Sequence, residues 1–395
     1  MKKSFADIVR EAEGDLRQRL QAKVPEWAGV LPELRLPARL NVEQCSSSAA
    51  ARYKAGVAAR ILQELGCCKG EGRIADLTGG LGVDAWGFSE VAGEVLYNEM
   101  DPLLCEAVKD NFNLLGVRNA VFRNVEIRPG AVWEVLGGFQ PDLIYLDPAR
   151  RSDTGRKVFL LEDCSPDLVA LQDELLSACP HLLVKLSPMA DITLLRRRLA
   201  GISEIHVISV DGECKELLLR IEASTDAAFS LIVTELHDGE AASIPFSDGD
   251  RDAPCPGLED DSLREGNWLF EPGAALMKSG CHAAACRRSG LRKLAPSTHL
   301  YAAKAPVPEL IPFGRFRQIL EVLPLDKHAM KEAGRRYPAA GVTARNIPMR
   351  SEELARRLGV RPGTDIHIYG VTAADRRYLL VCKYFSQKSW SDAQE

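Results

Sequence analysis

No apolar run in this chain approaches the roughly 18 residues that a membrane-spanning helix needs. The start, Met1-Lys2-Lys3-Ser4, leads into an amphipathic stretch with acidic residues and not into the apolar core of a signal peptide. The expectation is a cytoplasmic protein with no membrane partner. Eleven cysteines occur, but their spacing lacks the pairing of a disulfide framework, and the adjacent Cys67-Cys68 suit thiols in a reducing compartment. Cys281, His282 and Cys286 have no second ligand pair nearby, so no metal is expected. Internal repeats and low-complexity segments are absent as well.

What is present is the composition of a folded chain: 395 residues, 46% hydrophobic and 27% charged, a length that favours two or three domains. The formal net charge of -5 conceals an asymmetry. From Glu265 to Trp390 there are 21 lysines and arginines against 10 acids, so the remainder is strongly acidic. Pairs such as Arg287-Arg288, Arg335-Arg336, Arg356-Arg357 and Arg376-Arg377 offer a polyanion something to hold, or else form a solvated face that balances an acidic partner domain.

Along the chain, residues 1–66 read as a polar helical segment broken by Pro25, Pro32 and Pro37, with a helix from Ser46 to Leu65 that Gly66 ends. Residues 67–246 alternate strands and helices. Strands are expected at Arg73–Leu77, Val95–Asn98, Ala120–Arg123, Leu143–Leu146 and Leu182–Leu186, and helices at Gly82–Val91, Pro102–Leu115, Pro166–Ala178 and Ile192–Leu199. That alternation predicts an α/β fold with a doubly wound, largely parallel sheet. Glu204–Val210 and Lys215–Ile221, joined by Asp211-Gly212, predict a closing antiparallel hairpin. Residues 247–265, rich in Asp and Pro, read as a flexible acidic linker, and 266–390 as a separate, basic α+β domain. In it a helix is expected near Ala274–Arg288, strands near Thr298–Ala302 and Gln318–Leu323, a helix at Ser351–Leu358 and a strand pair at Ile366–Tyr369 and Tyr378–Cys382.

Three strand ends carry a carboxylate: Asp76, Glu99 and Asp147, on one rim of one sheet. The first is followed by Leu77-Thr78-Gly79-Gly80-Leu81-Gly82, a turn that lets backbone approach a ligand closely. This run resembles the acid-x-Gly-x-Gly-x-Gly pattern of S-adenosylmethionine-dependent methyltransferases, with Thr78 in place of the first glycine. The expected cofactor contacts are Asp76, Thr78, Gly80 and Gly82 toward the amino-acid end, Glu99 on the ribose hydroxyls and Asn124 on the adenine edge. Asp147-Pro148-Ala149-Arg150 resembles the Asp/Asn-Pro-Pro-Tyr tetrapeptide of enzymes that methylate exocyclic amines of nucleobases, with Asp147, Pro148 and Arg150 as the expected catalytic set. Arg150 stands where the stacking aromatic would be, and a guanidinium can stack on a base in its place. Carbon methylation of a pyrimidine needs a cysteine nucleophile, and Lys185-Leu186-Ser187-Pro188 at the next strand end has none. Lys185 itself lines the pocket, binds a phosphate or simply snorkels from a strand end.

Taken with Glu43-Gln44-Cys45-Ser46-Ser47, Ala51-Arg52-Tyr53-Lys54 and Glu213-Cys214-Lys215-Glu216-Leu217, these motifs resemble bacterial class I methyltransferases with a C-terminal THUMP-like domain. Glu271-Pro272-Gly273-Ala274-Ala275, His299-Leu300-Tyr301 and Arg345-Asn346-Ile347-Pro348 extend the resemblance into the basic segment. It implies a Rossmann-like sheet, S-adenosyl-L-methionine as cofactor and RNA (tRNA or rRNA) as substrate, methylated on a base amine such as guanine N2. The rivals are a methyltransferase acting on DNA, protein or a small molecule, and an RNA-binding protein that kept the fold without the chemistry.

Overall fold

The computed structural model describes residues 5–150, 164–224, 228–251, 253–259 and 262–385, the side chains of residues 5–13 and 150 excepted. No described helix is long and apolar enough to cross a membrane. The chain forms two compact units, one of residues 1–232 with 236–245, the other of 233–235 with 246–395.

The first unit opens with helices α1 (Phe5–Lys23), α2 (Arg39–Gln44) and α3 (Ser48–Glu64). Ser47 caps α3 by accepting the Ala50 amide, and Gly66 follows its end at φ +85°. Strands β1 (Arg73–Asp76), β2 (Glu94–Asn98), β3 (Ala120–Arg123) and β4 (Leu143–Leu146) come next, then a short pair β5 (Ala149–Arg150) and β6 (Cys164–Ser165), then β7 (His181–Leu186). Between them lie α4 (Val83–Ser89), α5 (Pro102–Leu114), α6 (Val132–Leu136) and α7 (Leu168–Ala178), and after β7 comes α8 (Ile192–Arg198). β8 (Ile202–Val210), β9 (Glu213–Glu222), β10 (Ser230–His237) and β11 (Glu240–Ser247) complete a nine-stranded sheet of order β11-β10-β8-β9-β7-β4-β1-β2-β3.

β3, β2, β1, β4 and β7 run parallel, whereas β9 is antiparallel to both β7 and β8. The expected hairpin therefore forms, with Asp211 and Gly212 at φ +51° and +78° in its turn, but the sheet does not close there: β10 and β11 extend it beyond β8. Buried on both faces, β1, β2 and β4 read as near-continuous apolar runs and bring Asp76, Glu99 and Asp147 to one sheet edge.

The N-terminal helices share this core. Leu20, Val24, Trp27 and Val42 are fully buried with Ala51, Ala55 and Ala58 of α3 and with Phe88, Tyr97 and Tyr145. Each leucine or valine so buried contributes about 1.5–3 kcal/mol. Small residues set the α3–α4 approach: a Cβ on Gly87 would stand 3.1 Å from the Ala51 carbonyl oxygen. Lys23 donates to the carbonyls of Val42, Glu43 and Cys45 at 3.0, 2.6 and 3.0 Å, holding the end of α2 and the turn that follows it.

The second unit builds a seven-stranded sheet from β12 (Trp268–Pro272), β13 (Arg292–Ala295), β14 (Thr298–Ala303), β15 (Gly314–Pro324), β16 (Gly341–Arg345), β17 (Ile366–Ala373) and β18 (Arg376–Tyr384), in the order β13-β14-β12-β15-β18-β17-β16. Only β16 and β17 pair in parallel among its described pairings. Helices α9 (Ala274–Ser279), α10 (His282–Arg288), α11 (Lys327–Arg336) and α12 (Ser351–Leu358) accompany it. The single helix expected over 274–288 is two, because Gly280 turns the chain at φ +77°. β12, β13, β16 and α11 were not expected from the sequence.

The acidic stretch 247–265 also departs from the reading as a flexible linker at its described residues. Asp250 is buried, accepts from the Ser247 amide and hydroxyl at 2.8 Å each, and pairs with Arg288 at 2.6 Å. The Lys293 amide donates to the Pro256 carbonyl at 2.8 Å. Acidic composition misled here because carboxylates that find an arginine and a capping turn can be buried.

Candidate active site

The glycine turn is shaped by its neighbours. A Cβ on Gly79 would lie 2.1 Å from the Tyr97 ring, and Gly80 and Gly82 take φ of +53° and +82°. The Tyr97 hydroxyl donates to the Gly80 carbonyl at 2.5 Å. Glu99 accepts the Gly80 amide on one oxygen and the Asp101 amide on the other, both at 2.9 Å. A carboxylate has about four acceptor positions, so Glu99 keeps capacity for two hydroxyl groups. Asn98 donates to the Leu77 and Val125 carbonyls at 3.0 and 2.9 Å, fastening the loops after β1 and β3 together.

These loops wall a cavity of about 360 Å³ whose lining includes Thr78, Gly80, Gly82, Asp84, Glu99, Met100, Ile127, Asp147 and Lys185. Its size is that of a small-molecule site. Three expected residues, Asp76, Asn124 and Pro148, are placed elsewhere. Asp76 is buried behind the wall: one oxygen accepts the Thr78 amide at 3.1 Å, and among the described residues the other has no hydrogen-bond partner. Burial, and then the charge of Asp84, push its carboxyl well above the usual range. Asp84, in the first turn of α4, lines the cavity where Asp76 was expected. Asn124 is exposed and spends its amide on the Glu99 and Met100 carbonyls at 2.6 and 3.1 Å, so Val125, Glu126 and Ile127 form the wall after β3. Pro148 is buried beneath the wall, while Asp147 and Ala149 reach it. The backbone of Arg150 pairs in β5, but its side chain lies outside the described residues, as does all of Arg151.

Behind Asp147 runs an alternating row of buried charges. Lys185 Nζ lies 2.5 Å from Asp147 Oδ2 and 4.0 Å from Asp84 Oδ2. Lys54 Nζ, fully buried on α3, lies 3.1 Å from Asp84 Oδ1 and 2.7 Å from Glu216 on β9. Ser46 donates to Asp84 at 3.0 Å and sits 2.9 Å from Lys54 and 3.3 Å from Lys185, and the Tyr145 hydroxyl donates to Asp84 at 2.7 Å. Burial opposes the charge on Lys185, yet Asp147, Asp84 and Glu216 hold its ammonium above the usual lysine range. Burial likewise opposes the charge on Asp84, but Lys54 and Lys185 keep its carboxyl below the usual range. Sequence reasoning put Ser46 and Lys54 in a helix and named neither them nor Asp84 as a site residue. One signal was available, since Lys54 falls on the apolar stripe Ala51, Ala55, Ala58 and Ile61 of α3, where a lysine needs buried partners.

A parallel sheet continued by an antiparallel hairpin, with a glycine turn and carboxylates on its rim, defines the class I, Rossmann-like methyltransferase domain. A crystal structure of a candidate methyltransferase from Porphyromonas gingivalis W83 is 30% identical, with 94% of this chain and 89% of that one covered and a TM-score of 0.80. In the second unit, a ferredoxin-like domain family matches residues 268–310 and a THUMP domain-like family residues 314–384. The chain belongs to the class I methyltransferases with a C-terminal THUMP-like domain. Weaker matches are a candidate methyltransferase of Streptococcus mutans in complex with SAH (9% identity, 42% and 96% covered, TM-score 0.29) and an rRNA methylase of Streptococcus thermophilus (11%, 42% and 94%, 0.29). No curated protein matches the chain.

Proposed function

We propose that this methyltransferase uses S-adenosylmethionine to methylate an exocyclic amine of an RNA base, guanine N2 foremost, in tRNA or rRNA. The observation that carries the reading is the single cavity that joins the glycine turn and Glu99 to Asp147. The residues fit a cationic nucleoside. Glycines leave backbone accessible, Glu99 retains acceptor capacity, and among the described residues the lining carboxylates of Asp84, Glu99 and Asp147 outnumber the ammonium of Lys185. When bound, S-adenosylmethionine supplies a methyl group activated by its positive sulfur.

The chain's own part is orientation. Thr78 Oγ1 accepts the Asp147 amide at 2.6 Å and so fixes the backbone that carries the carboxylate. With Oδ2 held by Lys185, Asp147 presents its other oxygen to a substrate N–H and aims the nitrogen lone pair. The excess of lysine and arginine after Glu265 supports binding to RNA phosphates. Arg150 is retained in this reading as a guanidinium able to stack on the base, and Asp76 as the anchor of the turn.

Calorimetry with S-adenosylmethionine on the wild type and Glu99→Ala, followed by radiolabelled methyl transfer to RNA with and without RNase, tests the proposal. Binding that Glu99→Ala abolishes, together with RNase-sensitive transfer that Asp147→Ala abolishes, supports it. Absence of binding by the wild type sinks the enzyme reading, and transfer insensitive to RNase sinks RNA as substrate.

A further inference from the structure

The Lys185 ammonium has three hydrogens; Asp147 Oδ2 at 2.5 Å and Ser46 Oγ at 3.3 Å lie within hydrogen-bond reach of it, and Asp84 Oδ2 at 4.0 Å adds a charge of opposite sign. Its shortest contact is therefore to Asp147. Its partners are themselves fixed, since Asp84 also receives the Tyr145 hydroxyl and faces Lys54, and Lys54 is anchored on Glu216. The row Glu216, Lys54, Asp84, Lys185, Asp147 thus alternates in sign from β9 through α3 and α4 to the cavity, and only its last member is substantially exposed, at 34% of its side chain.

We propose that Lys185 is a positioning residue: it turns Asp147 Oδ2 inward so that Oδ1 is the one carboxylate oxygen offered to the substrate amine, and the buried row behind it keeps that orientation. The inference rests on Asp147 being the acceptor for the substrate. It also gives the N-terminal helical segment a role in the chemistry, because Lys54 and Ser46 reach the row from there. A lysine that merely filled space would be replaceable by an apolar chain of equal length. A positioning lysine is not, since its loss frees the carboxylate to rotate and leaves it facing Asp84 with no cation in ion-pair contact among the described residues, Lys54 being committed to Asp84 and Glu216. Asp147 would then take up a proton at higher pH and lose its acceptor function.

The test compares full-length wild type, Lys185→Met, Lys185→Arg and the double variant Lys185→Met/Asp147→Asn. S-adenosylhomocysteine affinity is measured by calorimetry, urea unfolding gives stability, and kcat against pH is read with total RNA as methyl acceptor. Affinity should stay within about threefold in all four, while Lys185→Met loses about 100-fold in kcat and its acid limb moves to higher pH. The double variant, with no stranded charge, should unfold at higher urea than Lys185→Met and recover about tenfold in kcat without that acid limb, because an amide still accepts and does not titrate. Lys185→Arg should be intermediate. A Lys185→Met enzyme with the wild-type pH profile and kcat overturns the proposal, as does a double variant no better than the single one in both stability and kcat. If the wild type binds no S-adenosylhomocysteine, it is the proposed function that fails, which this first measurement distinguishes.

Discussion

Thr78 Oγ1 accepts the backbone N–H of Asp147 at 2.6 Å, so the residue that departs from the glycine pattern ties the rim of β1 to the rim of β4. Thr78→Val keeps the shape and removes the acceptor. Leaving that amide unpaired should destabilise by about 1–3 kcal/mol and lower kcat about tenfold with cofactor affinity nearly unchanged, as unfolding and single-turnover kinetics would show. Equal losses in both parameters would place the bond in cofactor binding.

Lys54 is wholly buried between Asp84 and Glu216. Lys54→Met strands two carboxylates, and the expected loss is about 3–5 kcal/mol, read as a lower urea midpoint. Adding Glu216→Gln should return part of it. A midpoint unchanged in the single variant would mean that water or a shifted proton already neutralises the row.

Two glycines should respond in opposite senses to alanine. At Gly79 the new methyl meets the fully buried Tyr97 ring at 2.1 Å, so the variant should lose about 1–3 kcal/mol and its S-adenosylhomocysteine binding. Gly56, inside α3, has open space where a Cβ would stand, and Gly56→Ala should stabilise by about 0.4–1 kcal/mol. Thermal unfolding of the pair decides both.

Burial pushes the imidazoles of His282 and His367 down to about 4, aided by His299 and by Arg317 respectively. Their folded values lie below the unfolded one, so the unfolded chain binds more protons in that window. Stability from this source is complete above about pH 6.5 and falls as pH drops toward 4. Urea midpoints at pH 7.5, 6 and 5 should decline, and replacing both residues by glutamine should flatten the decline. An undiminished slope in that variant would assign acid lability to other groups.

RNA affinity should fall steeply with salt, log K decreasing linearly with log salt concentration, because each phosphate contact releases a condensed counterion. Filter binding with mixed tRNA between about 50 and 300 mM salt measures the slope, which Arg376→Glu/Arg377→Glu should reduce. Both arginines are exposed at the turn between β17 and β18. A salt-independent affinity would remove phosphate docking.

Part of the short-range chemistry was legible: Gly66 ends α3, Pro102 opens α5, and Asp211-Gly212 makes the hairpin turn, each through groups a few residues apart. Asn124 misled because its strand-end position matched an adenine contact, whereas the nearby carbonyls of Glu99 and Met100 were closer acceptors. Asp76 misled because a carboxylate at a strand end can point outward to a ligand or inward beneath its own turn, and sequence is silent on which.

The sequence by itself determined the alternation of strands and helices, the hairpin and the glycine turn, since periodicity, glycine's positive φ and capping are local properties of the chain. The tertiary structure alone decided which charges meet. Lys54 and Glu216 are separated by 162 positions and Lys185 and Ser46 by 139. A buried ion pair is set by distance and by exclusion of water, and both exist only once α3, α4, β4, β7 and β9 have packed against one another.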